Sequence, residues 1–134
     1  MITYRLGNDL NLDDVIEVYR ASTLGARRPI DDRERMRQMF EQANLVVTAW
    51  DGERMIGVSR SLTDFCYATY LSDLAVVVEF QKQGIGRELM RRTQEAGGKA
   101  TVFLFAAPAA VDYYPRVGFT VGSGWMLRAG EQLR

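Results

Sequence analysis

Apolar and polar positions recur at two periods along this chain, and each change of period marks an element. Residues 2–6 alternate at period two and read as a strand. Leu12, Val15, Ile16 and Tyr19 fall at helical spacing. Asn11 is placed to cap that helix, with Asp13 and Asp14 in its first turn, at the positive end of the helix dipole. Residues 24–29 are a loop. Met36, Phe40 and Ala43 give a second helix that begins near Asp31, with Glu34 in a capping-box-like position. Residues 45–50 and 55–62 are strands, and Asp51-Gly52 between them is a hairpin signal. Residues 67–78 hold another strand. It is continuously apolar from Leu74, as a strand buried on both faces would be. A helix over 84–96 comes after it, with Ile85, Leu89 and Ala96 inward and Gly97-Gly98 ending it. A strand over 101–106 and a short helix over 109–114 come next. Residues 119–121 and 125–127 form a terminal strand pair broken by Gly122-Ser123-Gly124. The order β-α-α-β-β-β-α-β-α-β-β predicts an α/β domain, residues 1–134, with a mixed sheet flanked by about four helices.

The junction between the apolar strand and the 84–96 helix carries the candidate chemistry. Gln81-Lys82-Gln83-Gly84-Ile85-Gly86 joins a strand end to a helix start. Such a junction leaves backbone N–H groups unpaired at the positive end of a helix, where a phosphate binds. Glycine there lets the ligand approach the backbone. The Walker loop is absent, and the dinucleotide fingerprint fails because Leu89 stands where its third glycine belongs. What remains is Gln/Arg-x-x-Gly-x-Gly/Ala, matched by Gln81, Gly84 and Gly86.

This loop resembles the signature of the GNAT acetyltransferase family, where it cradles the pyrophosphate of coenzyme A. Residues 110–119 resemble the family's other hallmark. Tyr113-Tyr114 stand where an aromatic-Tyr pair ends a helix, Gly118-Phe119 come after them, and Ala110 takes the small position four before the tyrosine. The resemblance implies the GNAT-like acyl-CoA N-acyltransferase fold. It implies acetyl-CoA as donor, held by Leu74, Ala75, Val76, Val78, Gln81, Lys82, Gln83, Gly84, Ile85, Gly86 and Arg87. It also implies a gap between the strand before the loop and the one after the helix, entered by the pantetheine arm. Tyr114 becomes the general acid for the leaving sulfur, and Tyr113 a core aromatic. Two departures stand out: Ala107 where the family often has a cofactor-contacting Asn, and Pro108 beside it.

Composition narrows the chemistry further. The 134 residues carry 17 basic and 17 acidic side chains, which gives no basic surplus for nucleic acid. Histidine is absent, which removes histidine-dependent triads and most zinc chemistry, so no metal is expected. Cys66 is the single cysteine and reads as a buried structural thiol. The longest apolar stretch, 102–111, is too short to span a bilayer, and no charged-then-apolar leader opens the chain. A cytoplasmic protein is the expectation, with a homodimer through an edge strand open.

Acetyl transfer to an amine requires a neutral nitrogen, although an alkylammonium has a reference pKa near roughly 10.4. Asp73, inside the apolar strand, is the candidate base because a buried carboxylate needs a task or a partner. Its alternative is a hydrogen-bonded structural carboxylate. Glu79 and Asp64 are the other candidates, acting through water. The resemblance implies an amine acceptor, with a small-molecule amine, a peptide N-terminus and a protein lysine all open and the chain's small size leaning to the first. The acceptor's expected surroundings are the first two helices, their loop, and residues 61–70, with Tyr67 and Tyr70 as liners. The competing readings are a non-catalytic acyl-CoA sensor on the same fold and a nucleotide-binding domain of another fold.

Overall fold

The computed structural model describes residues 1–134. Its centre is a five-stranded sheet in the order β1-β2-β3-β4-β5. The strands are β1 (Ile2–Leu6), β2 (Leu45–Asp51), β3 (Arg54–Thr63), β4 (Ala68–Val76) and β5 (Thr101–Phe103). The first four pair antiparallel, and β5 runs parallel to β4. The parallel pair needs a crossover, and helix α3 (Ile85–Ala96) supplies it. Helices α1 (Leu12–Ala21) and α2 (Arg33–Gln42) precede β2. A short α4 (Tyr113–Arg116) comes after β5.

The side chains of β3 show which helices cover which face. Ser59 hydrogen-bonds Thr93 of α3 at 2.7 Å. Arg60, its neighbour, lies over the Phe40 ring of α2. Successive residues of a strand point to opposite faces, so α1 and α2 cover one face and α3 the other. The core is continuous through the sheet and includes Val15, Tyr19, Met36, Val47, Ile56, Val58 and Leu89. At Gly57 a Cβ would stand 3.2 Å from Leu89 Cδ1 and 3.3 Å from Ala49 Cβ, so glycine is what lets α3 seat this closely.

Asn11 caps α1 as expected, its Oδ1 accepting from the amide of Asp13 at 2.8 Å. The second helix starts one residue later than its sequence pattern predicts, with Asp32 as cap accepting from Arg35 N–H at 3.1 Å. Glu34 therefore sits inside the first turn and completes no capping box.

Two features of β4 shape its edges. Arg60 pairs with Asp73 and Ser61 with Leu71, so Ser72 is an unpaired bulge residue. The bulge puts Leu71 and Asp73 on opposite faces although they are two residues apart. On its other edge β4 pairs with β5 only from Ala68 to Tyr70, and beyond Tyr70 the two strands part.

The remaining differences from the sequence-based expectation lie in loops and at the C-terminus. The strand expected over 101–106 ends at Phe103. Residues 119–121 and 125–127 are not strands, and Val121 and Trp125 stand exposed. The short β5 offers no ladder for them, and Gly122 and Gly124 interrupt the run. Cys66 is exposed, not buried. Phe65 takes a left-handed φ of 63° in this turn, and Asp64 Oδ1 accepts from the amides of Cys66, Tyr67 and Ala68. That tight turn aims the thiol outward.

Candidate active site

The loop from β4 to α3 is built by backbone geometry. Lys82 and Gly84 both take left-handed φ, 63° and 81°. Gly84 is the N-cap of α3 and offers no side chain to its amides. None of the backbone N–H groups from Lys82 to Arg87 donates to a protein acceptor. Successive free amides of this kind form a concave anion-binding nest at the positive end of the helix. The space over them is open. A Cβ at Gly84 would meet nothing within 4 Å, and one at Gly86 only atoms 3.9 Å away. The donor set and the room both fit a diphosphate. Gln81 holds the loop in place, its Nε2 donating to the Val76 carbonyl at 2.8 Å. Glu88 and Glu95 are engaged by Arg91 and Arg92 on the surface of α3, which leaves Lys82 and Arg87 outside those pairs.

The expected cofactor residues Leu74, Ala75 and Val76 lie on β4 past the last β5 pair, where that edge of the strand has no ladder. Val78 opens a 3-10 turn after the strand and is exposed. Ile85 is buried and anchors the start of α3. A groove of 1120 Å³ runs between α3, β5, α4 and the C-terminal segment. Arg87, Met90, Phe103, Phe105 and Tyr114 are among its walls.

Both tyrosines of α4 reach this region. Tyr114 lines the groove, stacked edge-on against Tyr113 and Phe119. Burial, with Tyr113 beside it, pushes its hydroxyl above the ordinary phenol value, so it stays protonated at neutral pH. A proline disfavours helical geometry at the residue before it, yet Tyr114 lies within α4 directly ahead of Pro115. It sits in the first turn, where its missing N–H has no partner to lose. Tyr113 is half-buried and not a core aromatic. Its hydroxyl lies 3.9 Å from where a Cβ of Gly86 would be, so it borders the nest.

Asp73 is 1% exposed and fully engaged. Arg28 Nε donates to Oδ1 at 2.6 Å and Arg60 Nε to Oδ2 at 2.6 Å. The Tyr19 hydroxyl donates to Oδ2 at 2.5 Å. Burial pushes the carboxyl up, but the bond and charge of Arg60, the Tyr19 hydroxyl and the Arg28 charge outweigh it. The group is held below its ordinary value. The same two arginines grip the bulge: Arg28 donates to the Ser72 carbonyl at 2.8 Å, and Arg60 to the Ser72 hydroxyl at 2.9 Å. Tyr19, Arg28 and Arg60 carry no site signal in the sequence. Their partner is 13 to 54 residues away, and only the fold brings them together.

The other two candidate carboxylates are also occupied. Glu79 pairs with Arg54 at 2.6 Å. Asp64 is held well below the usual carboxylate range by the amide of Tyr67, then those of Cys66 and Ala68. No group of three His, Cys, Asp or Glu side chains is placed to hold a metal ion. No helix is long and apolar enough to cross a membrane.

Residues 21–130 match the family model of the acetyltransferase (GNAT) domain. A ycf52-like N-acetyltransferase of Prochlorococcus marinus, itself uncharacterized, is 30% identical over 103 residues. The match takes in 72% of this chain and 56% of that relative, so the chain spans little more than half the relative's length. Among solved structures, a GNAT family acetyltransferase from Streptococcus pneumoniae superposes with a TM-score of 0.76 at 27% identity. That superposition covers 96% of this chain and 99% of the other. The aminoglycoside N-acetyltransferase AAC(6')-Iy, solved in complex with CoA, shares the fold at a TM-score of 0.74 and 15% identity, over 98% and 96% of the two chains.

Proposed function

Because this chain belongs to the GNAT acetyltransferase family, we propose that it transfers an acetyl group from acetyl-CoA directly to an amine in a ternary complex. The observation that carries this reading is the run of free amides from Lys82 to Arg87 beside a groove that contains Tyr114. The amides and the Lys82 and Arg87 charges hold the diphosphate. The thioester supplies an activated acyl group when bound. Leu74 to Val76 present an unladdered strand edge to the pantetheine arm, where β4 and β5 part.

The amine nitrogen forms a bond to the acyl carbon, and the carbon–sulfur bond breaks. Tyr114 gives its hydroxyl proton to the departing sulfur. A phenol, with a reference pKa of about 10, enters the step protonated at neutral pH. Asp73 acts as the anchor of the bulge and not as the base: two guanidiniums and a phenol occupy its oxygens. The attacking nitrogen therefore loses its proton to solvent, with no dedicated carboxylate in the step.

The test is calorimetric binding of CoA, followed by thiol release from acetyl-CoA across an amine panel. Tyr114→Phe is expected to lower kcat by about 10²-fold or more while leaving CoA affinity in place. An unchanged kcat removes Tyr114 from the acid role. CoA binding without thiol release from any amine returns the sensor reading.

A further inference from the structure

The face of the sheet away from the glycine nest carries an apolar row that no helix covers. Leu62 of β3 pairs with Tyr70 of β4, and Tyr70 pairs with Phe103 of β5. Directly opposed residues share a face, so the three side chains form one line across three strands. It is the face of Arg60, since Leu62 is two residues on in the same strand. Tyr70 and Phe103 stack at 5.4 Å and 20°, and Phe105 meets Tyr70 edge-on at 6.0 Å. Leu62, Phe103 and Phe105 nevertheless remain 42%, 45% and 51% exposed.

The position of this row gives it a meaning. Tyr70 opposite Phe103 is the last pair before β4 and β5 part, so the rings stand at the fork of the gap. Phe103 and Phe105 also line the groove that contains Tyr114. The C-terminal segment closes one side, where Gly124 backs onto Phe105. On the acetyl-transfer reading, a thioester threaded from the α3 side would bring its acyl group toward the fork. The second substrate has to meet it from the opposite face, across these rings. The charge there is not acidic. Asp73 is saturated by Arg28 and Arg60, so the cluster next to the row holds two guanidiniums against one carboxylate. A polycationic amine finds no free carboxylate in it.

We infer that Leu62, Tyr70, Phe103 and Phe105 form the acceptor subsite, and that the acceptor is a monoamine on an aromatic or bulky apolar body. The inference rests on the acetyl-transfer reading and names its substrate class. Rigid rings at the fork hold a planar body edge-on or stacked and leave the nitrogen free to enter the gap. The aminoglycosides bound by some proteins of this fold are the opposite class, being polar and polycationic.

The experiment compares 2-phenylethylamine, n-propylamine, spermidine and an aminoglycoside as acceptors for the full chain with acetyl-CoA. The expected kcat/KM for phenylethylamine exceeds that for propylamine by about 30-fold or more, from burial of one aryl group. Phe103→Ser is expected to collapse that ratio to a few-fold, with the larger part of the loss falling on phenylethylamine. Binding of phenylethylamine to the CoA-loaded protein, by calorimetry, reads the subsite without turnover. If CoA binds and phenylethylamine binds but no thiol appears, the acetyl-transfer reading fails and the subsite stands. Equal kcat/KM for phenylethylamine and propylamine, or a preference for spermidine or the aminoglycoside, overturns the inference. So does a dimer that Phe103→Ser converts to monomer without changing amine selectivity, which would give the row to a second copy of the chain.

Discussion

Asp73→Asn is the substitution that most sharply separates an anchor from a base. Asn keeps the shape but turns one acceptor oxygen into a donor. At Oδ1 that donor would face Arg28 Nε, and at Oδ2 it would face Arg60 Nε and the Tyr19 hydroxyl. It also leaves Arg60, with a side chain only 10% exposed, without its counter-ion. Removing one partner of a buried pair costs about 3–5 kcal/mol. A domain of this size holds about 5–15 kcal/mol in total, so Tm should fall by roughly 10–20 °C. Tyr19→Phe removes a single donor and should cost about 1 kcal/mol. The pH dependence has a definite sign. The folded pKa of Asp73 is depressed, so its stabilisation is complete above the unfolded value of about 3.9 and is lost as pH falls through the folded value. The gap between wild type and Asp73→Asn should therefore be full at neutral pH and close only in acid. Urea denaturation across pH measures it. A variant with unchanged denaturation at pH 7 that loses the base limb of its pH–rate profile would refute the anchor and restore the base.

Two glycine substitutions should separate fold from binding. Gly86→Ala has room for its methyl, so Tm should hold while the CoA dissociation constant, by calorimetry, rises about 10-fold or more as the methyl enters the nest. Gly84→Ala forces a left-handed backbone on alanine and should cost about 1–2 kcal/mol in denaturant unfolding. Cys66 is exposed, yet its thiol is pushed up, first by desolvation and then by the Asp64 charge. It should react slowly with a disulfide reagent at neutral pH. Asp64→Asn keeps an oxygen to cap the turn and should speed that reaction several-fold; an unchanged rate would show that Asp64 does not govern the thiol.

The legible parts of the chain are those written in local residues. Asn11, Asp51-Gly52 and Gly84-x-Gly86 each force a backbone event within a few positions, and each stands where the sequence predicts it. The illegible parts are decided at a distance. The Ser72 bulge depends on how β4 registers against β3, and nothing in Ser72 or its neighbours announces it. Arg28 sits in a loop with the look of a surface charge, but its guanidinium reaches Asp73 and the Ser72 carbonyl. The apolar residues 119–127 keep a strand-like pattern, yet a strand needs a partner, and β5 stops at Phe103. Tyr113 reads as core because helix-end aromatics pack inward; the short α4 instead turns its hydroxyl to the Gly86 nest.

This division arises from what the site is made of. On the proposed reading, the diphosphate would meet main-chain amides and the donor arm a main-chain strand edge. Such a site asks for glycines and a helix start but places almost no demand on other side chains. Chains only 15% identical share this fold at a TM-score of 0.74, since a hydrophobic pattern of the right order and volume is enough to specify it. The acceptor side is the reverse. It is lined by side chains, and the same backbone can present acids, arginines or rings there. Donor chemistry is therefore legible from a short motif, whereas acceptor chemistry has to be read from what the fold brings to the fork between β4 and β5. In this chain that is Tyr70 and Phe103 beside a carboxylate with nothing left to offer.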